Sequence, residues 1–200
     1  MNKELLELYQ QKKSEIQNRL SQFKNLQEEN YFKEFLFCLL TPQSNAQKCW
    51  QAVEIINKSN SQDENKIFNI LKTKTRFHKT KTSRIVEAFQ TWNEIKTKLA
   101  EKNIPELRNW LAENINGYGL KEASHFLRNI GKSDNQIAIL DRHILKNLKN
   151  LNVIENDKIK NKKNYFEIEA KFIEYSKNIG IPIDEIDLLW WSKENGKIFK

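Results

Sequence analysis

Hydrophobic side chains recur every three or four positions along nearly the whole chain, which is the spacing of helices that bury one face. The clearest stripes are Leu5 to Phe23, Phe32 to Leu40, Trp50 to Ile56, Ile85 to Leu99, Leu120 to Ile130 and Phe166 to Ile179. Pro105 and Pro182 suit helix starts, and Gly131 suits a helix end. No useful stretch alternates as a strand does. The pattern therefore predicts an all-α protein of about ten helices.

Polar segments separate these stripes. "TPQS", residues 41–44, lies between the second and third helices, where either Thr41 or Ser44 is a suitable cap for the third helix. "TKTRFHKTKTS", residues 73–83, lacks an apolar stripe and is predicted to be a basic loop that carries one aromatic residue, Phe77.

Composition and charge add a preference for a partner. The chain has 34 Lys and Arg against 26 Asp and Glu, a net charge of +8, which favours a polyanion such as nucleic acid. An AT-rich genome, with its abundant Lys, Asn and Ile codons, would produce the same bias. With no long apolar run and no signal-peptide pattern, we expect a cytoplasmic, nucleoid-associated protein with no membrane partner. Cys38 and Cys49 are too few for a metal cluster and are expected to be buried thiols.

The stretch "INGYGLKEASHFLRNIG", residues 115–131, is the strongest candidate for function. The chain has only five glycines, and two of them, Gly117 and Gly119, form a tight connection between helices. Glycine also lets a ligand approach the main chain. The helix that follows should present free N–H groups, which bind phosphate, and Lys121 stands beside them.

One face of this second helix is basic. Lys121, His125, Arg128 and Lys132 recur at helical spacing, so we expect them to lie toward a phosphate backbone. The alternative is an ordinary helical hairpin with a solvated basic face.

Together with "AILDRHIL", residues 138–145, the hairpin resembles the helix–hairpin–helix DNA glycosylases. More narrowly, the chain resembles the second type of 8-oxoguanine DNA glycosylase/AP lyase. "FCLLTPQSNA", residues 37–46, and the C-terminal "LLWWSKENGKIFK", residues 188–200, extend the resemblance to nearly the whole chain.

The resemblance implies a fold and partners. It implies two helical lobes, residues 28–131 and residues 1–27 with 132–200, and a helix–hairpin–helix motif at the cleft between them. It implies a monomer that acts on damaged double-stranded DNA. No cofactor is required and no metal site is expected, although the family implies a monovalent cation at the hairpin carbonyls.

The resemblance also implies a chemistry, in which Lys121 is the nucleophile and Asp141 the catalytic carboxylate. A lysine amine can displace the damaged base, form a Schiff base with the sugar and allow β-elimination at the abasic site. A carboxylate can stabilise the oxocarbenium-like sugar and help to deprotonate the amine. Asp141 also precedes a helix, so it can act as an N-cap, and both roles are compatible.

Four further residues receive roles by resemblance. Gln43 would enter the gap left by the flipped base, where relatives often have Asn; its alternative is a first-turn helix residue. Phe77 and Trp191 would sandwich the damaged base, and core packing is the alternative for both. Lys200 would reach the lesion pocket, where its terminal carboxylate accepts the N7–H that 8-oxoguanine has and guanine lacks.

Two rival functions remain at this point. One is a glycosylase of the same superfamily for another oxidised base, which the C-terminal segment argues against. The other is a non-catalytic DNA-binding module, which the pairing of Lys121 with Asp141 argues against, because binding alone requires no such pair.

Overall fold

The structure, a computed structural model, describes residues 3–59 and 61–200 and confirms the all-α class. Within these residues the chain forms ten α-helices and one short 3-10 helix, Glu28–Asn30. The α-helices are α1 Lys3–Lys24, α2 Tyr31–Leu40, α3 Ala46–Ser59, α4 Glu64–Lys74, α5 His78–Lys98, α6 Ile104–Asn114, α7 Leu120–Asn129, α8 Arg142–Asn150, α9 Lys162–Ile179 and α10 Ile183–Asn195. No helix in the described ranges combines the length and the apolar character that a membrane crossing requires.

The start of α3 differs from the prediction. Its capping residue is Asn45, whose Oδ1 accepts a hydrogen bond from the Lys48 amide at 3.0 Å. Thr41 instead ends α2, where its own amide donates to the Phe37 carbonyl. Capping by Thr41 or Ser44 is therefore wrong, because the chain makes a full turn over residues 41–44 before α3 begins.

The predicted basic loop at residues 73–83 is also mostly helical. α4 continues to Lys74 and α5 begins at His78, which leaves three residues between them. The pattern concealed this helix start because its inward positions are polar: Lys81 and Thr82 are both only 2% exposed.

The chain divides into two compact units. Leu26–Phe126 form the first, which we call the hairpin unit; Leu127–Lys200, together with the segment that ends at Asn25, form the second, which we call the terminal unit. The expected boundaries followed residues 27 and 131. The observed boundaries follow Asn25 and Phe126, and the boundary after Phe126 falls within α7.

The end of α7 explains the shifted boundary. The Arg128 guanidinium lies 5.1 Å from the centroid of the Phe23 ring in α1. Gly131 has φ +70°, and a Cβ atom there would collide with the main chain of Lys24. The last turn of α7 and its C-terminal glycine therefore pack within the terminal unit rather than with the hairpin.

An aromatic cluster forms part of the core of the hairpin unit. Phe35 is fully buried, and its ring centroid lies 5.0 Å from that of Tyr118 and 5.5 Å from those of Trp92 and Phe126. The Tyr118 hydroxyl donates to the Phe35 carbonyl at 3.0 Å. Because Tyr118 lies between the two hairpin glycines, this contact attaches the hairpin to α2.

The two cysteines behave as predicted. Cys38 and Cys49 are free thiols with no exposed surface. Burial raises the pKa of Cys49 to about 11, with Lys81 acting in the opposite direction, so the thiol is protonated at neutral pH.

Candidate active site

The hairpin turn is closed by a hydrogen bond from the Tyr118 amide to the Ile115 carbonyl, 3.0 Å long. Gly117 has φ +94°, a conformation that favours glycine. A Cβ atom there would lie 2.5 Å from Cδ of Arg84. The space beside Gly117 is thus filled by the Arg84 side chain, whereas the sequence had suggested that it admits a ligand.

Gly119 precedes the first residue of α7, and its amide donates to Glu122 Oε2 at 3.2 Å. This is the backward-reaching half of a capping box, with glutamate at the third helical position. Of the amides predicted to be free for phosphate at this helix start, the Gly119 amide is already occupied, because the Glu122 carboxylate accepts its hydrogen bond.

Lys121 is the second residue of α7. Its Nζ lies 3.1 Å from Glu122 Oε1, and 25% of its side chain is exposed. Glu122 therefore contacts the Gly119 amide through Oε2 and the Lys121 amine through Oε1. This contact orients the amine while leaving it accessible to a substrate.

The basic face predicted for α7 is largely internal. His125 is 8% exposed, and its ring centroid lies 5.7 Å from that of Phe37. The Arg128 side chain is 2% exposed and forms an ion pair with Asp187 at 3.1 Å. Every residue from Ala123 to Ile130 is buried, so α7 has no solvated face over this stretch. A direct DNA-binding role for His125 and Arg128 is therefore contradicted by their burial.

Asp141 follows a buried segment, residues 137–140, that leads into α8. Two side chains of α9 fix this segment: Glu169 Oε1 accepts from the Ala138 amide, and the Tyr165 hydroxyl donates to the Ala138 carbonyl, both at 2.7 Å. The segment cannot shift without breaking these buried hydrogen bonds, so Asp141 is held in place.

Asp141 is the N-cap of α8, as the alternative interpretation predicted. Its Oδ1 accepts from the amides of His143 and Ile144, at 2.8 and 2.9 Å. The other oxygen, Oδ2, accepts no hydrogen bond from the described residues. The side chain is half-buried, so one oxygen caps the helix while the other can act on a bound substrate.

Gln43 and Phe77 share an unusual backbone conformation. Gln43 has φ 53° and Phe77 has φ 55°, and both are exposed, Phe77 to 55%. Gln43 lies in a turn outside any helix, so its alternative as a first-turn residue is wrong. The exposure of Phe77 rules out core packing for its ring, and the Arg76 guanidinium lies 5.4 Å from the ring centroid.

The C-terminal segment is packed rather than frayed. Trp190 stacks within the core on Phe172, whereas Trp191 is half-buried with its ring centroid 6.1 Å from that of Phe199. Arg19 Nε donates to the Phe199 carbonyl at 2.6 Å, and Lys200 is only 5% exposed. Trp191 is therefore not fully buried in the core, and part of it is accessible.

Sequence reasoning missed three residues of this region. Glu122 was recognisable as the glutamate that follows a helix start by three positions. Arg84 and Lys81 carried no such signal, since both lie among other cations on a segment interpreted as loop or ordinary helix. Burial is the main cause that lowers the pKa of Lys81, and the nearby cations Arg84, Arg76 and Lys121 lower it further. No group of three metal-ligating side chains occurs in the part of the chain that the structure describes.

An all-helical chain with a glycine hairpin, a lysine at the start of the following helix and an aspartate that caps the next one defines a helix–hairpin–helix DNA glycosylase. The family model for 8-oxoguanine DNA glycosylase matches residues 16–181. The chain belongs to this family.

Similar proteins cover almost the entire chain. An 8-oxoguanine DNA glycosylase/AP lyase of Fusobacterium nucleatum is 41% identical over 98% of this chain and 96% of its own length. The crystal structure of the 8-oxoguanine DNA glycosylase of Thermotoga maritima, 30% identical, covers 99% of this chain and 97% of its own with a TM-score of 0.89. A Methanocaldococcus jannaschii 8-oxoguanine glycosylase/lyase in complex with a 15mer DNA containing 8-oxoguanine, 31% identical, covers 98% and 99% with a TM-score of 0.87.

Proposed function

We propose that the chain excises 8-oxoguanine from double-stranded DNA and cleaves the resulting abasic site, with Lys121 as the nucleophile. Family membership supports the two activities. The observation that carries the residue assignment is the position of Lys121: it is the second residue of α7, with a partly exposed side chain whose amine contacts Glu122. The DNA complex of the Methanocaldococcus jannaschii relative supports duplex DNA as the partner.

The first step forms a bond between Lys121 Nζ and C1′ of the damaged nucleotide. The neutral amine attacks C1′, the N-glycosidic bond breaks, and the base leaves with the bonding electron pair and takes up a proton. Asp141 stabilises the positive charge that develops on the sugar through Oδ2, while Oδ1 remains hydrogen-bonded to α8. Since the cap fixes the carboxylate in advance, it need not reorganise as charge develops.

The second step cleaves the strand. Opening of the sugar ring converts the C1′ adduct into a Schiff base with Lys121, which makes the C2′ proton acidic. Loss of that proton and departure of the 3′ phosphate complete the β-elimination, and water then hydrolyses the imine to release Lys121.

Base recognition is assigned to three residues. Phe77, which is 55% exposed, and Trp191, which is half-buried, would stack on the extruded base. Lys200 would contribute to the recognition of 8-oxoguanine, which carries a hydrogen on N7 where guanine has an acceptor. Gln43 fills the gap in the duplex, where its amide both donates and accepts hydrogen bonds.

The enzyme would act as a monomer, at the nucleoid, and without a required cofactor. A monovalent cation bound by carbonyls of the hairpin would help to hold a phosphate. Backbone carbonyl groups, such as those of the turn between Ile115 and Tyr118, are suitable ligands for such a cation. Gly117 and Gly119 would contribute to DNA binding by giving the hairpin its tight turn, which at Gly117 requires φ +94°.

Borohydride trapping tests the assignment. Wild type should be trapped covalently on duplex containing 8-oxoguanine, whereas Lys121→Gln should give no adduct and no strand scission while still binding duplex. Lys132→Gln is the matched control, since it removes a cation one turn beyond the end of α7 and should trap like wild type. Trapping of Lys121→Gln at the wild-type rate would refute the proposal.

Asp141→Asn separates catalysis from capping. Asparagine is an equally good N-cap, so the variant should keep its melting temperature and its affinity for the lesion. The single-turnover excision rate should fall by about 100-fold or more, because a charge aimed at the transition state is lost. Near-normal turnover would show that Asp141 acts only as a cap.

A further inference from the structure

Lys81 is a buried charge of the hairpin unit that the proposed mechanism does not use. It lies in α5, is 2% exposed, and donates three hydrogen bonds from Nζ. The acceptors are the carbonyl oxygens of Leu40 at 2.7 Å and Pro42 at 2.9 Å, and the hydroxyl of Ser44 at 2.8 Å. All three protons of the ammonium group are therefore used, which is the arrangement that a buried lysine requires.

The acceptors lie on both sides of Gln43. Pro42 precedes it and Ser44 follows it, and the Ser44 amide closes the turn on the Thr41 carbonyl at 3.0 Å. Gln43 itself has φ 53°, where a non-glycine residue is disfavoured by roughly 1 kcal/mol or more. Lys81 thus contacts the flanking residues of a turn whose central conformation requires outside support.

The same network reaches Phe77. Ser44 Oγ, which accepts from Lys81, also accepts from the Arg76 amide at 3.0 Å. The Lys81 amide donates to the Phe77 carbonyl at 3.0 Å. Phe77 has φ 55° and lies between these two hydrogen bonds, one to the Ser44 side chain and one from the main chain of α5. The Ser44 hydroxyl, which Lys81 holds, therefore braces this second strained turn as well.

Neither strained conformation is needed to fill the core. Phe77 is 55% exposed, and Gln43 is exposed as well. Strained backbone that persists at exposed positions is characteristic of sites where a side chain must be held in a fixed direction. A buried lysine linked to both turns is a means of fixing the two directions together.

We propose that Lys81 is a positioning residue that, through Ser44, fixes together the turns that present Gln43 and Phe77 to DNA. This inference rests on the proposed function, in which these two side chains act on the gap and on the flipped base. Lys81 does not attack the sugar itself, because its amine is buried and fully hydrogen-bonded. Its removal therefore affects the capture of a damaged base within a duplex, and not the lyase chemistry of Lys121.

The test compares two substrates under single-turnover conditions: 8-oxoguanine in duplex, which requires base flipping, and an abasic site in single-stranded DNA, which does not. Lys81→Met and Ser44→Ala should each lower excision from duplex by about 100-fold, the loss expected when a reacting group is displaced by about 1 Å. Both should cleave the single-stranded abasic site at a near wild-type rate. Ser44→Thr retains the hydroxyl and should restore excision.

If Lys81→Met fails to fold, Ser44→Ala tests the positioning role of Lys81. The inference is overturned by wild-type excision in Ser44→Ala, by equal losses on the two substrates, or by failure of Ser44→Thr to recover activity. Gln43→Ala and Phe77→Ala, measured in parallel, distinguish this from failure of the proposed function. If those variants are fully active, the assigned base contacts are wrong; if they are impaired while Ser44→Ala is not, only the role of Lys81 is wrong.

Discussion

Replacement of Arg128 by methionine tests whether this residue stabilises the fold or binds DNA. Its Nη2 lies 3.1 Å from Asp187 Oδ2, and the two side chains are 2% and 10% exposed. Methionine keeps the apolar length but leaves the Asp187 carboxylate buried without this cation. Breaking a buried ion pair from one side costs about 3–5 kcal/mol, which is a large part of the stability of a domain of ordinary size.

Urea denaturation measures the loss directly. Arg128→Met should unfold at a clearly lower urea concentration, and Arg128→Met combined with Asp187→Leu should recover much of the difference, because no unpaired charge then remains. The salt dependence of binding to undamaged duplex supplies the second readout. If Arg128 touches no phosphate, the slope of log affinity against log salt should be unchanged.

The opposite pattern would refute this reasoning. A variant of wild-type stability whose salt slope falls by about one counterion would place Arg128 at a phosphate. Lys132→Gln, which removes a cation that is not buried, serves as the reference for both the stability and the salt slope.

Three further predictions follow from contacts described above. Gly117→Ala should destabilise the chain by about 1–3 kcal/mol and weaken DNA binding, because φ +94° disfavours alanine and its Cβ would displace Arg84; unchanged melting and affinity would contradict this. Deletion of Lys200 should lower excision of 8-oxoguanine far more than cleavage of a plain abasic site; equal losses would exclude the tail from recognition. Burial lowers the pKa of Lys81 from 10.5 to about 8. Between these pH values the unfolded chain therefore binds more protons than the folded one. The unfolding free energy of wild type should rise relative to that of Lys81→Met as pH increases through this window, by at most about 3 kcal/mol. Parallel stability curves for the two proteins would contradict the shift.

The helices, the hairpin and the cap could be predicted because local pattern determines them, whereas the catalytic roles of Lys121 and Asp141 came from the resemblance to a family. Apolar spacing indicates the helices, a glycine pair indicates the hairpin, and an aspartate before a helix indicates the cap, which the hydrogen bonds of Asp141 confirm. None of these features depends on residues distant in the chain.

The errors concern charged residues whose surroundings come from elsewhere in the chain. His125 and Arg128 lie at spacings typical of a solvated basic face, but Phe37, Phe23 and Asp187 cover them. The position of these partners is a tertiary property that periodicity within α7 does not contain.

Lys81 shows the same limit. It lies in a run of cations that suggests an exposed loop, and its burial depends on acceptors about forty residues earlier in the chain. A lysine is almost never fully buried without partners, so only the structure could reveal that these partners exist.

Identification of the lysine that bonds to DNA tests the central claim most directly. Wild type is trapped with borohydride on duplex containing 8-oxoguanine, and the adduct is digested. The peptide that carries the nucleotide remnant is then sequenced by mass spectrometry. We expect the remnant on Lys121, with none on Lys81 despite its lowered pKa, because the Lys81 amine is buried and engaged by three acceptors. A remnant on Lys81, or on any lysine other than Lys121, would contradict it.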